Sequence, residues 1–236
     1  MNEIKIKRLK GTITKVVELS PTAREYVLTL SEPMPFSAGA FVNFFFPHEG
    51  GAIRRAFSIS STDTEHNTIS LSIRLSPKGQ LTPILWAKDY TGLEVNIMGP
   101  MGLNTADKMK SDTVYLCGFG IGAGVVKSLA DDIARRDTLK SLTIMTGNRS
   151  TDELLHKDYF DALTASNPKV KVVYVVSQAD PEGIYPVGYI QNHVGGYNFT
   201  NADVYTCGQT VACTALVEAV KQQPSEGCTF FVEDFH

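Results

Sequence analysis

The chain has 236 residues, a formal net charge of -3, 43% hydrophobic residues and 20% charged residues. This composition is typical of a globular protein with a sizeable core, and the length fits one large domain or two smaller ones. The small negative charge argues against nucleic acid or an anionic membrane as the main partner. The N-terminal segment lacks the apolar core of a signal peptide, and no apolar run reaches about 18 residues, so we expect no membrane span.

The first half of the chain predicts short β-strands separated by turns. One helix is expected from about Thr82 to Lys88. Short strands at close spacing with many turns indicate an antiparallel barrel or sandwich. The predicted strands are the β-branched or aromatic runs GTITKVVEL, REYVLTL, AFVNFFF, AFSISS, TISLSIRL and LEVNIMG.

From about Ser111 onward, predicted strands and helices alternate. The buried strand TVYLCG leads into a glycine-rich turn and a helix from about Gly124 to Arg136. Further strands, LTIMTG, VKVVYVVS and DVYTCG, precede the segments TDELLHKDYFDALTAS, VGYIQNHVG and TVACTALVEAVKQQ. This alternation predicts a parallel sheet with right-handed crossovers. The polar stretch TADKMKSD separates the two patterns, so we expect domains at residues 1–107 and 108–236.

None of the four cysteines lies at the close spacing of zinc or iron–sulfur ligands. We therefore expect no metal site in this chain, and a cytoplasmic protein with free thiols. The histidines occur in unlike contexts, and four are expected at the surface: His48, His66, His156 and His193.

Two segments of the first half suit an anion. In RRAFSISS, two arginines run into an aromatic strand, where a strand that only filled a core would not place them. In SPKGQLT, Gly79 permits an unusual turn, and the backbone N–H groups of residues 80–82 open the short helix toward an anion. With Arg55 and Arg74 from neighbouring strands, this loop could surround a diphosphate.

The turn CGFGIGAG places four glycines between a strand and a helix. Glycines let the backbone approach a ligand closely, and the helix N-terminus offers N–H groups to a phosphate or a nicotinamide ribose. The acidic residue of the Rossmann fingerprint, expected about 20 residues further on, is not evident. The segment therefore predicts a dinucleotide-binding turn of a lineage different from that of the Rossmann fingerprint.

Taken in order, RAFS, GQLT, GP-x-G, the glycine turn, CG and the terminal VEDF resemble the ferredoxin–NADP+ reductase superfamily over nearly the whole chain. This resemblance implies an N-terminal antiparallel six-stranded β-barrel that binds FAD. It also implies a C-terminal α/β parallel-sheet domain that binds a nicotinamide dinucleotide. The implied activity is that of an FAD-dependent NAD(P)H oxidoreductase, in which a hydride passes from the nicotinamide to flavin N5.

The resemblance also implies roles for residues at the flavin. Arg55 would meet the pyrophosphate, Phe57 would flank the isoalloxazine, and Ser58 would hydrogen-bond near N5. Glu233 would be a polar group beside the flavin, and Phe235 an aromatic lid over its ring. The full set expected at FAD is Arg55, Ala56, Phe57, Ser58, Ile73, Arg74, Gly79, Gln80, Leu81, Thr82 and Phe235.

On the nicotinamide side, the glycine turn departs from the family's G-G-T-G-I-A-P loop. Cys117 replaces the first Gly, Phe119 the Thr and Ala123 the Pro. The segment YTCGQT is similar to the family's C-G-x-x loop, whose cysteine sits near nicotinamide C4. The residues expected to act in catalysis are Ser58, Cys207 and Glu233. Those expected at the dinucleotide are Gly118, Gly120, Ile121, Gly122, Asn148, Arg149, Cys207, Gly208 and Gln209.

The sequence favours NADH over NADPH as the donor. Binding of a 2′-phosphate needs cations, and relatives that use NADPH commonly carry an Arg after the third strand of this domain. Here that place reads VSQAD, with Gln178 and Asp180. Arg149 is the one cation expected near the adenosine ribose, and NADH-using relatives carry an Arg there too.

The sequence leaves three hypotheses for the electron acceptor. The first is a separate protein such as ferredoxin, flavodoxin or an oxygenase component. The second is a diffusible small molecule, either free flavin or a ferric chelate. The third makes the chain an electron-relay subunit of a larger complex, and the altered glycine loop motivates it.

Overall fold

The structure, a computed structural model, describes residues 5–178, 180 and 182–235. An antiparallel six-stranded sheet forms the first half of the chain and a parallel five-stranded sheet the second, which confirms the predicted two-domain fold. The first sheet contains β1 (Lys7–Ser20), β2 (Ala23–Leu30), β3 (Phe41–His48), β4 (Gly51–Ser58), β5 (Thr68–Arg74) and β6 (Glu94–Met101). The second contains β7 (Thr113–Phe119), β8 (Ser141–Asn148), β9 (Val170–Val176), β10 (Asp203–Gln209) and β11 (Thr229–Phe235). The α-helices are α1 (Thr82–Ala87), α2 (Ala123–Ala134), α3 (Lys157–Ser166) and α4 (Thr210–Lys221).

The first sheet forms a barrel around one hydrophobic core. In β2, for example, Tyr26, Leu28 and Leu30 all face the core. The strand order is β4-β3-β6-β1-β2-β5, and a bridge between Ile59 and Leu71 brings the end of β4 back to β5. Helix α1 is attached to this barrel, since the Tyr26 hydroxyl donates to a backbone carbonyl of the helix at 3.0 Å.

The second sheet has the order β11-β10-β7-β8-β9, with every pair parallel. Its central strand β7 is buried along residues 114–118, as expected for a strand covered on both faces. From β7 the chain moves to β8 and β9 on one side, and later to β10 and β11 on the other. The order therefore reverses between β7 and β10, and open α/β sheets bind ligands at the carboxyl ends of the strands at such a point.

Two predicted helical segments are shorter in the structure. The segment TDELLHKDYFDALTAS contains a 3-10 turn at Thr151–Glu153, and α3 starts only at Lys157. His156 has a φ of 56°, a left-handed conformation that interrupts a helix. VGYIQNHVG forms only a 3-10 turn, Ile190–Asn192. Within the described residues, no helix combines the length and hydropathy needed to cross a bilayer.

The barrel and the α/β domain meet through polar contacts as well as packing. Lys127 on α2 forms an ion pair with Glu25 of the barrel at 3.1 Å. The Ser128 hydroxyl donates to the backbone carbonyl of Ser61 at 2.8 Å. Gly124 allows this approach, because a Cβ there would lie 2.8 Å from the Ser72 side chain. The start of α2, and with it the glycine turn, is thus held directly against the barrel.

Candidate functional site

A cleft of about 490 Å³ opens between the barrel and the C-terminal strand β11. The Ser58 hydroxyl, at the end of β4, donates to Glu233 Oε1 at 2.5 Å across this boundary. The fold therefore joins two residues that lie 175 positions apart in the sequence. The cleft is lined by Phe41, Ala56, Ser58, Gly102, Leu103, Asn104, Val232, Glu233, Asp234 and Phe235.

Two buried groups, Glu233 in the cleft lining and Cys207 opposite it on the neighbouring strand, have altered proton affinities. Burial raises the pKa of Glu233 above its ordinary 4.5, and the hydrogen bond from Ser58 opposes part of that rise. Burial also raises the pKa of Cys207 well above the usual 9.0, with the Glu233 carboxylate adding to the effect. Cys207 is therefore a neutral thiol, and Glu233 holds its proton to a higher pH than an exposed glutamate does.

Strand alternation sends Arg55 and Phe57 to the opposite face of β4 from Ala56 and Ser58. The Arg55 guanidinium donates to Gln80 Oε1 at 2.9 Å, so the strand and the loop before α1 are already in contact. The Phe57 ring packs edge-on against Phe44, with 5.8 Å between the centroids. The structure thus brings Arg55 beside the predicted anion loop.

The loop before α1 is closed by its own hydrogen bonds. The Thr82 hydroxyl accepts from the Ser76 N–H at 2.9 Å and donates to the Ser76 carbonyl at 3.0 Å. The backbone N–H of Gly79 also donates to that carbonyl, at 2.9 Å. The side chains of Leu81 and of Ile73 on β5 are buried in the barrel core. These two residues can reach a ligand only through their backbone.

The glycine turn presses against the strand end that carries Cys207. A Cβ on Gly122 would lie 2.2 Å from the Cys207 carbonyl oxygen, so only glycine fits. Cys207 pairs in register with Gly118 on β7 and with Glu233 on β11. The Ile121 side chain packs on the domain core, while Gln209, at the end of β10, is exposed. The turn, the Cys207 strand end and the cleft therefore form one continuous site at the reversal point of the sheet.

Phe119, which replaces the family's Thr, lies between two glycines of neighbouring strands. A Cβ on Gly208, whose φ is +152°, would lie 2.6 Å from the Phe119 Cβ. On the other side, a Cβ on Gly147 would lie 3.3 Å from the Phe119 ring. The strand ends thus make room for the larger side chain. The sequence revealed the replacement but not its neighbours, because strand pairing was needed to place them.

Beyond the turn, polar groups gather at the ends of β8 and β9. Asn148 is buried, and its Oδ1 has no hydrogen-bond partner within the described residues. The exposed Arg149 lies next to Gln178, whose backbone N–H donates to the Arg149 carbonyl at 2.9 Å. Asp180 accepts from the N–H of Tyr185 at 2.7 Å, and its hydrogen bonds with backbone N–H groups hold its pKa below the usual 3.8.

Arg74 lies at the boundary between the domains. One guanidinium nitrogen contacts Glu153 Oε2 at 2.6 Å, and another lies 3.3 Å from where a Cβ on Gly120 would be. Sequence reasoning missed Glu153, which is 7% exposed and also accepts from the hydroxyls of Ser20 and Thr22. No local signal marks it, since Ser20 is 133 positions away.

His156, expected at the surface, is half-buried where the two domains meet. Its Nε2 atom forms a hydrogen bond with the Ser72 hydroxyl of the barrel at 3.0 Å. Burial lowers the pKa of His156 to about 4, and the nearby Lys127 lowers it further against the opposite influence of Glu25. The imidazole is therefore a neutral member of the interface between the domains at neutral pH.

These features fit a flavin and a dinucleotide. The Arg55–Gln80 pair supplies donors suited to a diphosphate, and the cleft offers an aromatic side chain, Phe235, next to the Ser58–Glu233 pair. The glycine turn exposes backbone where side chains cannot fit, and the unpaired Asn148 Oδ1 can accept from a ligand.

Two domain models match successive parts of the chain. Residues 10–105 match the model of the oxidoreductase FAD-binding domain, and residues 116–219 match that of the oxidoreductase NAD-binding domain. The reductase component of phenol 2-monooxygenase from Pseudomonas sp. (strain CF600) is 28% identical over 234 residues, covering 96% of this chain and 65% of that protein. The phenol hydroxylase P5 protein of Acinetobacter pittii (strain PHEA-2) is 24% identical over 237 residues, covering 96% of this chain and 64% of that protein.

This chain thus spans just under two thirds of the length of these two curated relatives. Among solved structures, the crystal structure of a cytochrome P450 reductase from Amycolatopsis has a TM-score of 0.90 and 24% identity. That similarity covers 99% of this chain and 71% of the other, and it shows that the two share a fold.

Proposed function

Because the chain belongs to the ferredoxin–NADP+ reductase superfamily, we propose that it is an FAD-dependent NAD(P)H oxidoreductase that delivers electrons to a separate acceptor. The observation that carries this proposal is the continuous site formed by the Ser58–Glu233 cleft and the Gly122–Cys207 contact. It joins an FAD-binding half to an NAD-binding half, and we place the division between residues 107 and 108.

On the barrel side, we assign the flavin to the groups around β4. Arg55 and Gln80 would hold the diphosphate, aided by backbone N–H groups of the loop that ends at Thr82. Phe57, Ala56 and Phe235 would border the ring system. When bound, the flavin supplies the redox chemistry, accepting a hydride from nicotinamide and releasing electrons singly or in pairs. The protein contributes binding, orientation and electrostatics.

The Ser58–Glu233 pair would hold and transfer a proton beside the reacting atoms. Because burial raises the pKa of Glu233, its carboxyl can hold a proton and return it through the Ser58 hydroxyl at 2.5 Å. Cys207 stays a thiol, since burial raises its pKa. We propose that its side chain fills the space behind the nicotinamide and excludes water, and that it does not act as a nucleophile.

The donor in this proposal is NADH. Asp180, whose hydrogen bonds lower its pKa, places a carboxylate near the end of β9, where it would repel a 2′-phosphate. Arg149 and Gln178, adjacent through a backbone hydrogen bond of 2.9 Å, would contact the adenosine ribose. NADPH would then be the poorer donor, because the carboxylate of Asp180 would oppose the attraction of Arg149 for a 2′-phosphate.

For the acceptor, we propose an oxygenase component or a small carrier such as ferredoxin or flavodoxin. Support comes from the relative described as the reductase component of phenol 2-monooxygenase and from the structural likeness to a cytochrome P450 reductase. The alternatives are a free flavin or ferric-chelate reductase and a relay subunit, for which the Phe119 replacement is the motivation. The four cysteines are free thiols, which suits a reducing compartment such as the cytoplasm.

Steady-state turnover separates these acceptors. The purified protein, freed of loose flavin by gel filtration, is assayed with NADH and a [2Fe–2S] ferredoxin, then with FMN and with ferric citrate. The proposal predicts retained FAD and fastest turnover with the protein acceptor. Loss of FAD on the column with fast FMN reduction would favour the free-flavin alternative. Retained FAD without NADH oxidation would favour the relay subunit.

A further inference from the structure

A carboxylate of the α/β domain is enclosed by donors of the barrel. Glu153, in the 3-10 turn after β8, accepts from Thr22 Oγ1 at 2.7 Å and from Ser20 Oγ at 3.3 Å, and it pairs with Arg74 at 2.6 Å. All three partners belong to the barrel: Ser20 ends β1, Thr22 lies in the turn between β1 and β2, and Arg74 ends β5. Glu153 is 7% exposed, so its carboxylate is shielded from water, whereas the Arg74 side chain keeps 32% of its surface exposed.

The same Arg74 reaches the glycine turn. Gly120 has a φ of +54°, and a Cβ there would lie 3.3 Å from Arg74 Nη1 and 3.5 Å from its central carbon. The guanidinium therefore lies directly beside the turn, while its other terminal nitrogen contacts Glu153. Its Nε is buried and has no hydrogen-bond partner within the described residues. One side chain of the barrel thus touches two separate segments of the α/β domain.

We infer that Arg74 and Glu153 are positioning residues that hold the glycine turn at a fixed distance from the barrel. This inference rests on the proposed function and deepens it, because the turn would carry the nicotinamide and the barrel the flavin. It also moves Arg74 from the flavin diphosphate, where the resemblance placed it, to the boundary between the domains. A shift of about 1 Å at a reacting centre can lower a rate as much as 100-fold.

Other contacts keep the domains together when this pair is removed. Lys127 and Glu25 form an ion pair near the start of α2, and Arg135 pairs with Asp63 at its far end. Loss of Glu153 is therefore expected to free the turn locally without separating the domains. Arg135 supplies a matched control, since its ion pair also joins the domains but lies about 18 Å along the helix from the turn.

The test uses Glu153→Gln, Arg74→Met and the control Arg135→Met, each loaded with FAD. We expect FAD affinity within about twofold of wild type, and flavin reduction at saturating NADH slowed by roughly 10- to 100-fold in the first two variants only. Without NADH, amide hydrogen exchange of residues 118–122 should be at least about tenfold faster in those two variants. Arg74→Lys should restore part of both readouts, because it keeps the charge facing Glu153 but lacks the second nitrogen.

Two results would overturn the inference. A fall in FAD affinity of more than tenfold in Arg74→Met, with unchanged affinity in Glu153→Gln, would show that Arg74 binds the flavin. Unchanged exchange of the turn in both variants would show that the pair does not hold it. If NADH does not reduce the wild-type flavin, the proposed function fails instead, and the exchange measurement still decides whether Arg74 and Glu153 hold the turn.

Discussion

The two sides of the proposed site present different kinds of groups. On the barrel side, the groups are side chains that contact each other: Arg55 with Gln80 within the barrel, and Ser58 with Glu233 of β11 across the domain boundary. On the α/β side, the surface is mainly backbone, made by glycines packed against a neighbouring strand end, as Gly122 is against the Cys207 carbonyl. The barrel side would bind a ligand through side-chain functional groups. The α/β side would bind it through backbone groups that a ligand can approach closely.

This difference predicts opposite responses to substitution by alanine. On the barrel side, alanine removes a contact, so a ligand is lost while the fold survives. On the α/β side, alanine adds atoms where none fit, so the fold suffers first.

Gly122→Ala should destabilise the α/β domain by at least about 3 kcal/mol, the upper end for an overpacked core. The cause is the 2.2 Å distance between the new Cβ and the Cys207 carbonyl oxygen. Urea unfolding measures the change. Gly195→Ala is the matched control, because a Cβ there has no atom within 4 Å. Equal stabilities of the two variants would mean that the turn does not press against β10.

The stability of the protein should fall in acid because of His156, which lies at the interface between the two domains. Its pKa is lowered from 6.5 to about 4 in the folded state, so the unfolded chain binds the extra proton first as pH falls. Stability should therefore be full above pH 6.5 and decline toward pH 4. At about 1.4 kcal/mol per pKa unit, the loss is about 3 kcal/mol.

Urea unfolding at pH 7.5 and at pH 4.5 measures this loss in wild type and in His156→Asn. Asparagine is chosen because it tolerates the left-handed φ of 56° at this position. His66→Asn, which alters an exposed histidine, is the control. We expect a smaller acid-induced loss in His156→Asn only, and identical losses in all three proteins would contradict a buried neutral imidazole.

Arg55→Ala should weaken FAD binding by about 1.5–3 kcal/mol, roughly 10- to 150-fold in Kd, while the fold stays intact. The physical reason is the loss of charge-assisted hydrogen bonds to the diphosphate. Titration of the apoprotein by flavin fluorescence measures the Kd. Arg54→Ala, a neighbouring exposed arginine, should change it by less than about threefold. Full FAD occupancy of Arg55→Ala at nanomolar concentration would disprove the diphosphate assignment.

Cys207→Ala should produce the smallest effect. Because the thiol is neutral and buried, its removal leaves a gap behind the nicotinamide and no lost charge. Stopped-flow reduction by NADH is expected to slow by roughly three- to tenfold with FAD still bound. Cys213→Ala, which removes another buried thiol on α4, should leave the rate unchanged. Equal reduction rates in both variants would show that Cys207 only packs in the protein core and does not affect the nicotinamide.

The fold and the order of the motifs could be predicted because both are local properties. Period-two burial in β2 and a continuously buried β7 appear directly in the sequence. Arg55 stood out because an arginine at the mouth of an aromatic strand has no structural purpose there. These signals need no knowledge of distant residues.

The parts that escaped prediction depend on contacts between residues far apart in the sequence. Glu153 and His156 looked like ordinary surface residues, since their partners Thr22 and Ser72 lie 131 and 84 positions away. Asn148 and Asp180 could be named from the sequence, but their surroundings form only when β8 and β9 pair. A single sequence carries no signal for such contacts, because each residue type is common at exposed positions.

The most direct test of the central claim is an anaerobic absorbance spectrum of the purified protein, recorded before and after NADH and then NADPH. We expect a bound flavin band that NADH bleaches, and slower bleaching by NADPH because the Asp180 carboxylate would repel its 2′-phosphate. A colourless protein that takes up no added FAD would contradict the assignment of the β4 cleft to flavin, and with it the proposed function.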